Sequence, residues 1–167
     1  MSESPTRGDG VIRPDVVFRS ESPGSPAGRR LRAEYWDDVT LASGLSVVGG
    51  PPESDLSDLV APHGGFFIAH HDGRDVGCVG VRTLDGGDVE VKRLYVSPAA
   101  RGLSLGRRLL TLAEDWARER DASRLVLDTR AALVVARGLY ASAGFVEVEP
   151  YNDNGHAEVW YAKPLEG

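Results

Sequence analysis

Apolar positions recur with two different periods along this chain. From Ala27 onward, Leu31, Tyr35, Val39 and Ala42 follow one another at helical spacing until Gly44. Before them, VVFRSES (Val16–Ser22) has the β-branched and aromatic content of a first strand, stopped by PGSP. Asp55–Val60 reads as a short helical piece between Pro- and Gly-containing loops. Three strand-like runs come next: GFFIAHH, VGCVGVRT and DVEVKRLYV. Asp72-Gly73 separates the first pair and Asp85-Gly86-Gly87 the second, which is hairpin chemistry and predicts an antiparallel meander. The period then returns to helical. Leu105, Leu109, Leu112, Ala113 and Trp116 mark one face of a helix. RLVLDT (Arg124–Thr129) is a buried strand. Ala132, Val135, Ala136 and Leu139 mark a further helix that Gly144 stops. FVEVEP and HAEVWYAKPL close the chain as two strands. Hairpins first, then strands alternating with helices, predict an α/β (α+β) domain built on a mixed sheet.

Length changes the picture little. The 167 residues suit one domain, expected over residues 14–167, with residues 1–13 a polar tail. The net charge of −6 argues against general nucleic-acid binding. No run approaches ~18 apolar residues, so no membrane span is expected. MSESPTRGDG lacks the apolar core of a signal segment, which makes the cytoplasm the expected location. Cys78, the single cysteine, sits in VGCVGV and reads as a buried small hydrophobe. His70-His71-Asp72 reads as a surface pair, and no metal is expected because a closed site needs more ligands.

Candidate chemistry centres on LYVSPAARGLSLGRRLL (Leu94–Leu110), a strand, a short glycine loop and the start of a helix. A helix N-terminus presents unpaired N–H groups and a positive dipole end, and small residues before it let the backbone approach an anion. Arg101, Gly102, Leu103, Ser104, Leu105, Gly106 and Arg107 fit that role, with Arg108 adding charge. A diphosphate is the natural guest, and a plain helix cap with solvated arginines is the competing reading. No G-x-x-x-x-G-K-[ST] or G-x-G-x-x-G pattern is present, so neither P-loop nor dinucleotide binding is indicated.

EVKRLYVSPAARGLSLGRRLL resembles the acetyl-CoA-binding motif of the GNAT N-acetyltransferase superfamily, Q/R-x-x-G-x-G/A between a strand and a helix. ARGLYASAGF resembles the family's A-x-x-L-Y-x-x-x-G-F segment, and the order of elements agrees from about Val16 to Leu165. The resemblance implies a GNAT acyl-CoA N-acyltransferase fold: a mixed, mostly antiparallel sheet with helices on both faces. It implies acetyl-CoA as cosubstrate, its diphosphate on the N–H groups of Arg101–Arg107. Its pantetheine arm would lie along the main chain of Leu94, Tyr95 and Val96, like an added strand. A backbone N–H there would polarise the thioester carbonyl. Two positions depart from the pattern: Ser104 replaces a glycine, and Leu133 replaces an asparagine.

The implied reaction is transfer of acetyl to a primary amine of a small molecule or peptide by direct attack in a ternary complex. Tyr140, from family position and from its phenol, is the expected acid for the departing thiolate. Glu90 is the expected base, acting directly or through a water. As a strand neighbour of Lys92 it could instead be ion-paired and acid-shifted. With strict alternation Glu90, Lys92, Leu94 and Val96 share one face, and a bulge would change that parity. Substrate candidates are Glu34, Tyr35 and Asp38 on the first helix, and Tyr151, Asn152, Asp153 and Asn154 in YNDNG. The same YNDNG reads more simply as a polar turn. A homodimer stays open. So does a second function class, an acyl-CoA-binding regulatory module with weak or lost catalysis, to which Ser104 and Leu133 lend support and Tyr140 does not.

Overall fold

A computed structural model describes residues 16–44 and 49–166. The polar tail expected over residues 1–13 lies outside the described residues. The hairpin signals give the expected meander. Strand β1 (Val17–Ser20) pairs with β2 (Gly64–His71), β2 with β3 (Arg74–Thr83), and β3 with β4 (Val89–Val96), all antiparallel. Asp72 and Gly73 both take positive φ at the β2–β3 turn, as a two-residue hairpin requires.

Strand β4 then pairs with β5 (Arg124–Thr129) in parallel, over Val89–Leu125 and Glu90–Val126 only. Beyond this pair the two strands part. Strands β6 (Val146–Val148) and β7 (Val159–Pro164) complete one seven-stranded sheet in the order β1-β2-β3-β4-β5-β7-β6. This is the mixed, mostly antiparallel sheet that the sequence resemblance implies.

Helices cover both faces. Helix α1 (Pro26–Ala42) starts where Ser25 accepts a hydrogen bond from the Gly28 N–H at 3.0 Å, and Pro26 occupies its first turn. With the short helix α2 (Asp55–Asp58) it seals a core of Leu31, Leu59, Phe66, Ile68, Cys78 and Tyr95. The opposite face carries α3 (Leu105–Arg118), whose Leu105, Leu109, Ala113 and Trp116 are buried as their spacing predicts. Leu110 and Ala117 widen that stripe. Helix α4 (Val134–Ser142) follows the expected face in part: Ala136 and Leu139 turn inward, but Ala132 and Val135 are exposed and Tyr140 is the buried residue. Leu139 packs so close to α3 that a Cβ at Gly106 would lie 2.9 Å from its side chain, so the helices meet only over a glycine. No helix among the described residues is long and apolar enough to cross a membrane.

Candidate active site

The site is built where β4 and β5 part. Strand β4 has a bulge there: Cys78 faces Tyr95 and Gly80 faces Lys92, so Val79 opposes two residues, and Arg93 sits at φ 55°. The bulge corrects the simple alternation. Glu90, Lys92 and Tyr95 turn to the α1 face, whereas Val89, Val91, Leu94 and Val96 turn to the α3 core. A left-handed arginine is held by its partners. Its Nε and Nη2 donate to the two Asp55 oxygens at 2.9 and 3.0 Å, and its guanidinium lies over the Tyr35 and Trp36 rings. Asp55 also accepts from Arg32 Nε at 3.0 Å and is almost wholly buried.

Two cavities open from this point. The first, about 340 Å³, runs between the β4 edge (Leu94, Tyr95 and Val96) and α4, and reaches Arg101 and Gly106. At its end the loop takes the shape its small residues allow: Gly102 has φ 94° and Ser104 φ 55°. The N–H groups of residues 102–107 donate to no protein acceptor among the described residues. The arginines are more engaged than expected. Arg107 donates to Ser142, and Arg101 lies 3.7 Å from Asp38. The Ser142 acceptors are neutral, so Arg107 keeps its charge, and the positive character of this end comes from it together with the backbone N–H groups. Ser104 occupies the N-cap of α3 but caps nothing with its side chain, because a left-handed residue aims it elsewhere. Ser104→Gly is therefore expected to be neutral or slightly stabilising in thermal unfolding. Ser104→Val should cost more than about 1 kcal/mol, since branched side chains tolerate this region worst. Equal stabilities for the two variants would count against the strained loop.

The second cavity, about 360 Å³, is lined by charge: Asp55, Asp58, Arg82, Lys92, Arg93, Asp128 and Arg130, with Asn152, Asn154 and His156. Tyr35, Lys92, Arg93, Asp128, Thr129 and Leu133 line both cavities, which meet at the parted strands. Its size suits a small molecule or one end of a peptide.

Glu90 is placed differently from the expectation of a free base. It is 1% exposed and lines neither cavity. Its carboxylate accepts from Arg82 Nε at 2.8 Å, the Tyr151 hydroxyl at 2.7 Å and Asn152 Nδ2 at 3.4 Å, with Lys92 Nζ at 3.6 Å. Burial works to raise its pKa, but the Lys92 charge, the Tyr151 hydrogen bond and Arg82 outweigh it and hold the carboxyl below the ordinary value. A carboxylate so engaged is a poor proton acceptor. Tyr151 is spent on Glu90 and lies outside both linings, as does Glu34, which pairs with Arg30 at 3.3 Å. Of the other substrate candidates, Asp38 lines the first cavity, Asn152 and Asn154 the second, and Tyr35 both, while Asp153 lines neither. YNDNG is thus more than a turn: its side chains reach Glu90 and Asp128.

Tyr140 lines the first cavity, its ring packed on Phe145 and Tyr161 at centroid distances of 6.0 and 5.7 Å. Its hydroxyl makes no protein hydrogen bond among the described residues. Burial pushes its pKa upward, so the phenol keeps its proton. Cys78 is fully buried and donates its thiol to the Arg93 carbonyl at 3.2 Å.

Asp55, Arg82, Arg93 and Asp128 carry no signal as site residues in the sequence, and Lys92 stands out there only as a partner of Glu90. The segment VEVKRLYV does hold one general signal: it places Glu90, Lys92 and Arg93 in an internal strand, where charges need counter-charges.

Known proteins agree with this architecture. The acetyltransferase (GNAT) family model matches residues 29–145. The IAA acetyltransferase of Azospirillum brasilense is 35% identical over 158 residues, 91% of this chain and 99% of that protein. A solved Klebsiella pneumoniae structure, described as an acyl-CoA N-acyltransferase, is 28% identical. It superposes with a TM-score of 0.71 over 90% of this chain and 98% of the other. The fold also matches N-acetylglutamate synthase from Neisseria gonorrhoeae, solved with coenzyme A and N-acetyl-glutamate. That match has 23% identity and a TM-score of 0.69, over 92% of this chain and 36% of that one. The chain belongs to the GNAT family of N-acetyltransferases.

Proposed function

We propose that the protein moves the acetyl group of acetyl-CoA to a primary amine of a small molecule or peptide, in a ternary complex without an acyl-enzyme. The observation that carries this is the meeting of two cavities at the parted β4 and β5 strands. An amine in one and a thioester in the other can touch directly, which supplies the proximity that direct transfer needs. The one thiol of the chain is buried and hydrogen-bonded, so it offers no acyl carrier.

The donor fits the first cavity. The free N–H groups of residues 102–107 suit a diphosphate. Past Glu90 the β5-facing edge of β4 has no strand partner, which leaves Leu94, Tyr95 and Val96 open to an extended amide-bearing arm. A fold neighbour solved with coenzyme A supports the same guest. Acetyl-CoA supplies an activated acyl carbon. The neutral amine nitrogen bonds to it, the carbon–sulfur bond breaks, the nitrogen gives up one of its two protons and keeps the other as the amide N–H, and the sulfur gains one. Tyr140 donates to the departing sulfur. Water takes the amine proton, since Glu90 is engaged by Arg82, Tyr151 and Asn152. Glu90 acts by holding Asn152 and Tyr151 beside the second cavity.

The test is thiol release from acetyl-CoA with tryptamine, spermidine, kanamycin and an alanyl tripeptide as acceptors. Amine-dependent release with at least one of them is expected. Tight acetyl-CoA binding with no amine-dependent release would overturn the enzymatic reading and favour an acyl-CoA-binding module.

A further inference from the structure

We propose that Asp128 is the ammonium-binding group of the acceptor cavity, presented by Asn152 and Asn154 at the junction with the donor cleft. This rests on the acetyltransferase reading and names the residue and charge by which it selects its substrate.

Asp55 is consumed by Arg32 and Arg93, and Asp58 by Arg82 at 2.9 Å. Arg82 also holds Glu90, and Lys92 lies against the same carboxylate. Arg130 donates to the His156 carbonyl and lies 3.4 Å from Glu158. Of the three carboxylates on this wall, Asp55 and Asp58 are thus paired with arginines and the third is not. Asp128 makes no ion pair among the described residues. It is half-buried and lines both cavities.

What holds Asp128 is a pair of amides with fixed orientation. Asn152 Oδ1 accepts from Trp160 Nε1 at 2.9 Å and from the Asn154 N–H at 3.3 Å. Its Nδ2 is thereby turned to Asp128 at 2.7 Å. Asn154 Oδ1 accepts from the His156 N–H at 3.1 Å, and its Nδ2 lies 3.3 Å from both Asp128 oxygens. Neutral donors steady the carboxylate without cancelling its charge. An ionised carboxylate has about four acceptor sites, and these contacts leave room for more. An unneutralised anion in a partly dry pocket favours a cation over water. A primary ammonium seated there would stand where the cavity meets the thioester, at the point from which its nitrogen attacks after losing a proton.

The test compares wild type with Asp128→Asn, using the best acceptor of the four amines above. The expected result is a rise of about tenfold or more in KM for the amine, with acetyl-CoA affinity unchanged. Two inhibitors separate charge recognition from damage to the site. The N,N-dimethyl derivative of that acceptor keeps its positive charge, and its potency should fall by a similar factor in the variant. The N-acetyl product, uncharged at that nitrogen, should inhibit both proteins alike. An amine KM within about twofold of wild type would overturn the assignment, and so would parallel loss of both inhibitors. Should Asp128→Asn not fold, Asn154→Ala carries the test. A several-fold rise in amine KM supports the proposal, and an unchanged KM overturns it. Wild type that acetylates none of the four amines fails the acetyltransferase reading itself, and this inference falls with it.

Discussion

Tyr140→Phe lowers kcat for amine acetylation by about 10²-fold or more, the usual scale for a lost general acid, and leaves acetyl-CoA affinity within about twofold. The contrast follows from what the hydroxyl touches. It has no protein partner among the described residues, so its removal strands no donor or acceptor. The ring contacts with Phe145 and Tyr161 survive in phenylalanine, which keeps the cleft wall and the packing of α4. Burial raises the phenol above its ordinary pKa, which by itself would make it a weaker acid. A thiolate forming in the same cleft meets the same desolvation, so its proton affinity rises as well. The phenol therefore remains matched to its task as charge develops on sulfur. Steady-state kinetics with calorimetric titration of acetyl-CoA checks both halves. An unchanged kcat would remove Tyr140 from the acid role.

The parts of the protein legible in its sequence are those set by near neighbours. The loop from Arg101 to Gly106 is one: its left-handed turns at Gly102 and Ser104 are local events with local residue preferences. The hairpin at Asp72-Gly73 and the stripe of α3 are others. The acceptor side was less legible because its logic is long-range. Nothing in VKRLYV marks Arg93 as left-handed. The reason lies 38 residues away, in an Asp55 carboxylate that accepts from Nε and Nη2 of the guanidinium. That bulge reverses the parity of β4 and moves Glu90 and Lys92 off the face of Leu94 and Val96. Asp128 closes a run that reads as plain buried strand, and the amides that define it come 24 and 26 residues later. Those amides belong to YNDNG, whose turn-like composition conceals that Trp160 sets the orientation of Asn152.

Asp55→Ala is expected to destabilise the fold by about 3–5 kcal/mol, the scale of removing one member of a buried ion cluster. Against a total of about 5–15 kcal/mol this leaves little margin at elevated temperature. The cost comes from what stays behind. Arg32 is buried with Asp55 and also donates to the Pro23 and Pro52 carbonyls, so it cannot turn to solvent without releasing both loops. Arg93 is anchored at the bulge and would lose the partner that makes its backbone conformation tolerable. Acid should reproduce part of this effect. Burial tends to raise the Asp55 pKa, but the hydrogen bonds and charges of Arg93 and Arg32 prevail and depress it. A depressed carboxyl contributes its full stability above its unfolded pKa of about 3.9, and loses it as pH falls through the lower folded value. Urea unfolding midpoints of wild type and Asp55→Ala should therefore stand far apart at neutral pH and converge below about pH 4. A gap that is the same at both pH values would mean that the carboxylate charge does not hold this cluster. Because Arg93 and Asp128 share the junction of the two cavities, the variant should also lose amine turnover at temperatures where it is still folded. The bulge that opens the sheet is kept in place by a charge pair that is itself part of the substrate wall.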